Sequence, residues 1–386
     1  MGPTATPNPN PTASPNASRK RYVGEVVFLY AYDVGYELES LPAGTLLGQP
    51  VAEFSVDASK RSPRHLMFYK PRMVRLPPVE RIGPYGPVRI ERVVKVLSIG
   101  AISIAVRVPF AVDHVEDLVV FHDLHFNNAS LHDEVRRLAE EVRNELHPHV
   151  VRPVRELAEE EAYTVFCLAA PVGSRDGSPV VAEAWFQTHR CQVASLLTQE
   201  DDPGFLSRQE ADESTGRHLS YYQHDLVVID WDAALIVDEP RHFDETLYLM
   251  ELVNLQLAEL EAYDRLLDVA LERSYRDLAR QRQRRRSEVL QEIREIRIDL
   301  TRLSDELLNI SKFFGDWHLA RIYASLAERF HVADWHRTID DKLKTLGELY
   351  EILKHDQNNR WMLILEVTIV LLFVIDLVIL LAGGRF

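Results

Sequence analysis

The chain has 386 residues, of which 46% are apolar and 27% charged, and its formal net charge is −15. That apolar share is ordinary for a folded protein, while the acid excess argues against a general nucleic-acid or anionic-lipid surface, which needs clustered Lys and Arg. The two cysteines, Cys167 and Cys191, fit a reducing compartment and form no metal-type pair.

Residues 1–20 are predicted as a disordered tail. Its first eighteen residues, rich in Pro, Asn, Thr, Ser and Ala, carry no charge and no apolar core, so neither a signal nor a transit peptide is expected there. Residues 21–240 read as an α+β domain. Tyr22–Tyr32 is a predicted strand, and Lys70–Pro87, crowded with Pro, Gly and Arg, is predicted as loop. Val88–Leu97 and Ala101–Val108 are β-rich runs joined by a hairpin signal at Ser98–Gly100. Asn128–Leu146 predicts an amphipathic helix, with Leu131, Val135, Leu138, Val142 and Leu146 on one face. Ala162–Ala170 reads as a buried strand and Val180–Leu197 as a helix. Asp225–Ile229 and Ala233–Val237 read as a strand pair turning at Asp230-Trp231-Asp232. Strands and helices mix without regular βαβ alternation, which favours α+β over a doubly wound sheet.

Histidines cluster at His114, His122, His125, His132, His147 and His149. His122-Asp123-Leu124-His125 places candidate ligands at i, i+1 and i+3, and His132-Asp133 adds another pair, superficially like metal-dependent phosphohydrolases. Those hydrolases need an all-helical core and a further distant Asp, whereas Val119–Phe126 reads as extended. The chain has no His-Glu-x-x-His, Cys-x-x-Cys or glycine-rich phosphate loop. Solvated or core-capping histidines are the expectation, with no cofactor and no catalytic residue assigned.

Beyond Pro240 the composition shifts to helix formers and proline does not recur. Residues 241–358 are predicted to form a coiled-coil stalk. Val289, Ile293, Ile296, Leu300, Leu303, Leu307, Ile310 and Phe314 make a 4-3 seam, and Ile339, Leu343, Leu346, Tyr350 and Leu353 make a second after a short helix at Trp317–Phe330. An antiparallel hairpin satisfies both seams, and so does pairing between chains. Arg280, Arg282, Arg284, Arg285 and Arg286 interrupt the pattern as a basic collar. They have the chemistry to hold phosphate of RNA or lipid; a solvated face balanced by Glu272, Asp277, Glu288 and Glu292 is the plainer reading.

Trp361–Leu381 is almost wholly Leu, Ile and Val and spans about 32 Å as a helix, the thickness of a bilayer core. Residues 359–383 are therefore predicted as a transmembrane anchor, with Trp361 at one interface and Arg360 and Arg385 bracketing the run. Glu366, Ile369, Phe373 and Asp376 share one stripe at 3-4-3 spacing. A partner helix shields the two carboxyls, giving a homo-oligomer, or each lies near enough to an interface to be protonated or hydrated; a proton or ion pathway is a third reading, which one span supports only within an oligomer.

The strand pair Asp225-Leu-Val-Val-Ile-Asp-Trp-Asp-Ala-Ala-Leu-Ile-Val237, the helix Leu247–Glu261, the Trp335-bearing helix and the approach Asn359-Arg-Trp-Met-Leu-Ile-Leu-Glu366 together resemble the required-for-meiotic-nuclear-division family. That family includes yeast sporulation proteins and a mitochondrial inner-membrane protein. The resemblance runs from about Asp225 onward, and residues Arg21–Val151 carry none of it. It implies no catalytic activity, and it implies a role in tethering ribosomes at a membrane, which suits a basic collar on an anchored stalk.

The expectation is a non-enzymatic, membrane-anchored scaffold, single-pass in the inner (cytoplasmic) membrane, with its bulk in the cytoplasm and a ribosome or other protein or RNA partner. The alternatives are a membrane-attached metal-dependent hydrolase using His114–His149, and a membrane sensor whose α+β domain binds a small ligand.

Overall fold

Strand β1 (Tyr22–Asp33) is apolar on both faces because it is covered on both. Val26, Phe28 and Tyr30 enter one core, and Val27 and Leu29 the other. The structure, a computed structural model, describes residues 22–40, 44–54, 71–126, 129–158, 160–172, 180–280, 294, 298 and 317–383. After β1 come β2 (Gly35–Leu38), β3 (Thr45–Leu46), β4 (Gln49–Pro50), β5 (Ala52–Glu53), β6 (Arg72–Gly83), β7 (Gly86–Val96) and β8 (Ala101–Val112). A second stretch holds β9 (His125–Phe126), β10 (Ala129–Ser130), α1 (Leu131–Leu146), β11 (Val150–Pro153) and β12 (Glu161–Ala169). Then follow α2 (Ala182–Thr188), α3 (Arg190–Leu197), α4 (Arg208–Ser214), β13 (His218–Leu219), β14 (Leu226–Ile229) and β15 (Ala233–Asp238). Three helices close the described chain: α5 (Phe243–Arg280), α6 (Trp317–Arg329) and α7 (Val332–Gly383).

Nine strands form one sheet among the described residues, in the order β13-β14-β15-β12-β1-β8-β7-β6-β5. Its pairs are antiparallel except β12 with β15, which run parallel from Thr164↔Ala233 to Ala169↔Asp238. Helices α1, α2 and α3 contribute to the core on one face, and α5, α6 and α7 to the core on the other. The fold is thus α+β with helices on both faces of a mixed sheet.

Several sequence expectations stand where they were placed. The hairpin at Ser98–Gly100 joins β7 to β8, and the pair Leu226–Ile229 and Ala233–Asp238 turns between Asp230 and Asp232. In α1, Ser130 caps the N-terminus by accepting the Asp133 N–H at 3.1 Å, and all five expected apolar residues are buried.

Others need correction. Lys70–Pro87 is not loop: Arg72–Gly83 pairs with Gly86–Val96 as a long ribbon. Pro77 and Pro78 fall where the register shifts between Leu76 and Val79, so the prolines sit in a bulge that needs no ladder hydrogen bond. The helix expected at Val180–Leu197 is two, broken at His189, whose ring stacks on Trp185 and whose Nδ1 lies 2.8 Å from the Trp185 carbonyl. Val119–Phe126 is not extended throughout, since a 3-10 turn covers Glu116–Phe121.

The helical region does not begin as a free-standing stalk. Residues 249–260 of α5 are buried throughout and lie across β1, β8 and β12, because that stretch is apolar almost all round. Its polar members find partners there: Asn254 donates to the Glu161 carbonyl at 2.9 Å, and Gln256 accepts the Tyr323 hydroxyl at 3.1 Å. His318 borders a cavity with His242 and Glu245, Tyr323 meets Gln256, and Lys342 meets Asp264 and Asp268. These contacts advance in one sense along both partners, so α6 and α7 follow α5 in its own direction. The seam from Val289 to Phe314, with which an antiparallel partner was expected, lies outside the described residues.

Helix α7 is continuous for 52 residues, about 78 Å. Ile339, Leu343 and Leu346 are buried against the body, and further along, Met362–Ile379 is exposed, with mean hydropathy 2.8, long and apolar enough to cross a membrane. Glu366, Phe373 and Asp376 lie in that exposed stretch. Trp361 belongs to α7, and Arg385 lies outside the described residues.

Candidate functional site, a cleft between the β1–β2 turn and α5

A cavity of about 410 Å³ opens where the end of β1, the start of β2 and the strand β11 face α5. Its floor is fixed by backbone. The Asp33 carboxylate accepts the Gly35 N–H at 3.0 Å, and β11 pairs with β2 through Gly35↔Pro153 and Leu38↔Val150. The β7–β8 turn packs beneath: the Val34 N–H donates to the Gly100 carbonyl at 2.9 Å. Gly100 sits at φ +86, and a Cβ there would fall 1.9 Å from the Gly35 carbonyl oxygen, so no other residue fits without moving the floor.

Arg152, on the cleft wall, has φ +50, a left-handed conformation that costs a non-glycine residue about 1–2 kcal/mol. Its guanidinium lies 5.5 Å from the Tyr36 ring centre, within cation–π range. The opposite wall is a stripe of α5 at helical spacing: Glu259, Ala262, Tyr263, Leu266 and Val269, with Arg265 beside it.

The electrostatics centre on Arg265. It donates to Glu261 Oε2 at 3.2 Å, and its charge acts on Asp33 and Glu161 as well. Burial pushes Asp33 up to about 6, against the opposing pull of the Gly35 N–H and Arg265. Burial also pushes Glu161 up to about 8, helped by the hydrogen bond its carboxyl shares with Glu261, by that neighbour's charge and by Asp232. Glu161 therefore holds its proton at neutral pH and releases it when a positive charge arrives. Mixed charge, aromatic walls and an apolar stripe equip the cleft to hold a small organic molecule.

A second polar cluster lies under α5. Lys95 contacts Glu251, which also accepts the Ser103 hydroxyl at 2.5 Å, and the ammonium lies 3.9 Å from the Phe54 ring centre. All three polar residues are buried and satisfied, so the cluster is a pin between β7, β8 and α5.

The residues singled out from sequence lie elsewhere. His122 is buried against Phe166, its Nε2 2.7 Å from the Leu196 carbonyl, and burial lowers its pKa. His125 pairs with the exposed Asp123, His132 sits edge-on to Tyr30, and His149 lies 3.3 Å from Ser40. These histidines face different partners, and among the described residues no three His, Cys, Asp or Glu side chains stand together to hold a metal ion. Of the collar, Arg280 ends α5, while Arg282, Arg284, Arg285 and Arg286 lie outside the described residues. Sequence reasoning missed Asp33, Arg152, Glu161, Glu259 and Arg265. The available signal was Glu251, Asn254, Gln256 and Glu259 set into the apolar run Leu247–Leu260.

Residues 23–244 match the family model described as "Uncharacterized protein MJ0711, N-terminal domain", and the chain belongs to that family. The uncharacterized protein MJ0711 of Methanocaldococcus jannaschii is 22% identical over 223 residues, which cover 58% of this chain and 66% of that protein. The aligned stretch is thus just short of two thirds of the relative's length. No solved structure matches. The family match takes in the sheet and the Asp33 and Arg152 side of the cleft; the α5 wall and α7 lie beyond it.

Proposed function

We propose that the protein is a non-enzymatic, membrane-anchored binding module of the sensor type. The α+β body receives a small ligand in the Asp33 cleft, and α5 passes the change to α7, which anchors the body in the bilayer. One observation carries this reading. The two turns of α5 that wall the cleft with Tyr263, Leu266 and Val269 also present Asp264 and Asp268 to Lys342 of α7, at 2.7 and 2.6 Å. A ligand that tilts this stretch moves the membrane helix directly, and Lys342 stands about 30 Å along α7 from Met362.

The reading as a scaffold or ribosome tether rests on the Arg280–Arg286 collar and the family resemblance, and the cleft supports the sensor more directly. Placement in the cytoplasmic membrane with the body in the cytoplasm belongs to the same proposal, as does homo-oligomerisation through the span. The experiment is a thermal-shift screen of the detergent-solubilised full-length chain against metabolites, followed by hydrogen exchange across residues 339–346. A compound that raises Tm and changes protection there supports the sensor. A panel without any shift, or a shift that leaves α7 unchanged, rejects it in favour of the tether.

A further inference from the structure

Around the cleft, carboxyls outnumber guanidiniums. Asp33 at the end of β1, Glu156 after β11 and Glu259 on α5 line it, with Arg152 and Arg265 as the lining cations. Outside the lining, Glu261 on α5 accepts from Arg265 at 3.2 Å, and the charges of Arg265 and Asp232 act on Glu161 of β12. The Arg265 charge is therefore divided among Asp33, Glu161 and Glu261, and Arg152 is held over Tyr36. Tyr36 and Tyr263 supply aromatic surface, and Leu266 and Val269 an apolar ledge at the mouth. Among the described residues the lining carboxyls thus outnumber the lining guanidiniums by three to two, and the aromatic rings suit a cation as well.

We propose that the Asp33 cleft binds a small organic cation, a primary ammonium or guanidinium on an apolar body, with the charged end toward Asp33 and Glu259 and the body along Tyr263, Leu266 and Val269. The inference rests on reading this cleft as a ligand site and adds its ligand class. The volume of about 410 Å³ lies in the range that encloses drug-sized molecules. Proton release accompanies binding: an ammonium beside Asp33 favours its ionised form, so a proton held there in the empty cleft leaves as the cation enters.

The test is calorimetric titration of the detergent-solubilised full-length chain with 2-phenylethylamine and agmatine, against 3-phenylpropionate and 2-phenylethanol. Each is run in phosphate and in HEPES, neither of which is a primary amine, to count protons. Amine binding at millimolar affinity or tighter, with net proton release and about tenfold tightening from pH 5 to pH 8, is the expected result. Asp33→Asn should weaken it about tenfold. Because that variant risks disturbing the β1–β2 turn, Val269→Trp, which fills the cleft from an exposed position, serves as an independent block and should abolish binding. Equal or tighter binding of 3-phenylpropionate, no binding of either amine, or unchanged amine binding in Val269→Trp overturns the proposal. Hydrogen exchange on the same samples separates the two readings. A bound amine that leaves α7 unchanged removes the sensor but keeps the cation site; a bound carboxylate that alters α7 does the reverse.

Discussion

Lys342 Nζ of α7 lies 2.7 Å from Asp264 Oδ1 of α5, with both side chains partly buried. The bond joins the helix that carries the apolar span to the helix that walls the cleft, one residue from Tyr263 and two from Leu266. Lys342→Met keeps the aliphatic stem and removes the charge, leaving Asp264 and Asp268 facing one another across one helical turn. The expected cost is about 1 kcal/mol, seen as a lowered Tm of the solubilised chain. A larger effect is expected on coupling: a cleft ligand should still bind but no longer change exchange at residues 339–346. Retained coupling would mean that the apolar contacts of Ile339, Leu343 and Leu346 suffice.

The buried Lys95–Glu251 pair makes a different kind of prediction, because neither charge has water to fall back on. Glu251→Leu leaves an ammonium under α5 beside the Phe54 and Tyr248 rings, and Lys95→Met leaves a buried carboxylate on Ser103. Each single change should cost about 3–5 kcal/mol, while the double change to Met and Leu should recover much of that loss. Denaturant titration of all four species closes the cycle, and simple additivity of the single losses would contradict the pin.

These two clusters also mark where sequence legibility ends. The continuous apolar run of β1 and the helical spacing of Leu131, Val135, Leu138, Val142 and Leu146 are local signals, and both elements form. The ribbon strand β6 escaped notice because Pro77 and Pro78 resemble loop, whereas they occupy a bulge on an outer part of the sheet. The cleft was illegible for a deeper reason. Asp33, Arg152 and Arg265 are far apart in the chain, and they meet only because β11 pairs with β2 and α5 crosses β1. The apolar run after Phe243 was correctly read as helix, but only the sheet beneath it explains why that helix is buried nearly all round from residue 249 to 260.

Stability should fall as pH rises, in a window set by the cleft acids. Asp33 stands at about 6 against an ordinary 3.8, and Glu161 at about 8 against 4.5. Between those ordinary values and the raised ones, the folded chain binds more protons than the unfolded chain. The contribution of these groups to unfolding free energy is therefore fully present only below their ordinary pKa values. It declines from about pH 4 to 6 for Asp33 and on towards about pH 8 for Glu161. Thermal melts of the wild type and of Glu161→Gln from pH 5 to pH 8 check the sign. The variant should flatten the slope and gain stability relative to wild type at the alkaline end.

Glycine 100 offers a purely steric prediction. At φ +86, with the Gly35 carbonyl oxygen 1.9 Å from where a Cβ would stand, Gly100→Ala is both strained and blocked by backbone. Relief requires the β7–β8 turn and the β1–β2 connection to part, which breaks the Val34 N–H bond to Gly100 and displaces Asp33. The expected outcome is a Tm lowered by several degrees together with loss of cleft binding. Gly48→Ala, also at positive φ but with open space around its Cβ, is the control for strain alone and should leave binding intact.

The last prediction concerns the span, where Glu366 and Asp376 lie on one stripe with Ile369 and Phe373 of the exposed apolar stretch of α7. A carboxyl within a bilayer costs about 2.5–3.5 kcal/mol at the centre, less near an interface, and the cost falls when a partner helix supplies a hydrogen bond. If two copies share the stripe, Glu366→Leu with Asp376→Leu should insert more firmly yet change the size of the species trapped by crosslinking in membranes. If each carboxyl is instead hydrated near its own interface, the same double change should improve insertion and leave crosslinked size untouched. Scanning Val367 and Val374, which lie off the stripe, with leucine separates the two outcomes from a general effect of added apolar volume, because neither reading expects those positions to alter size.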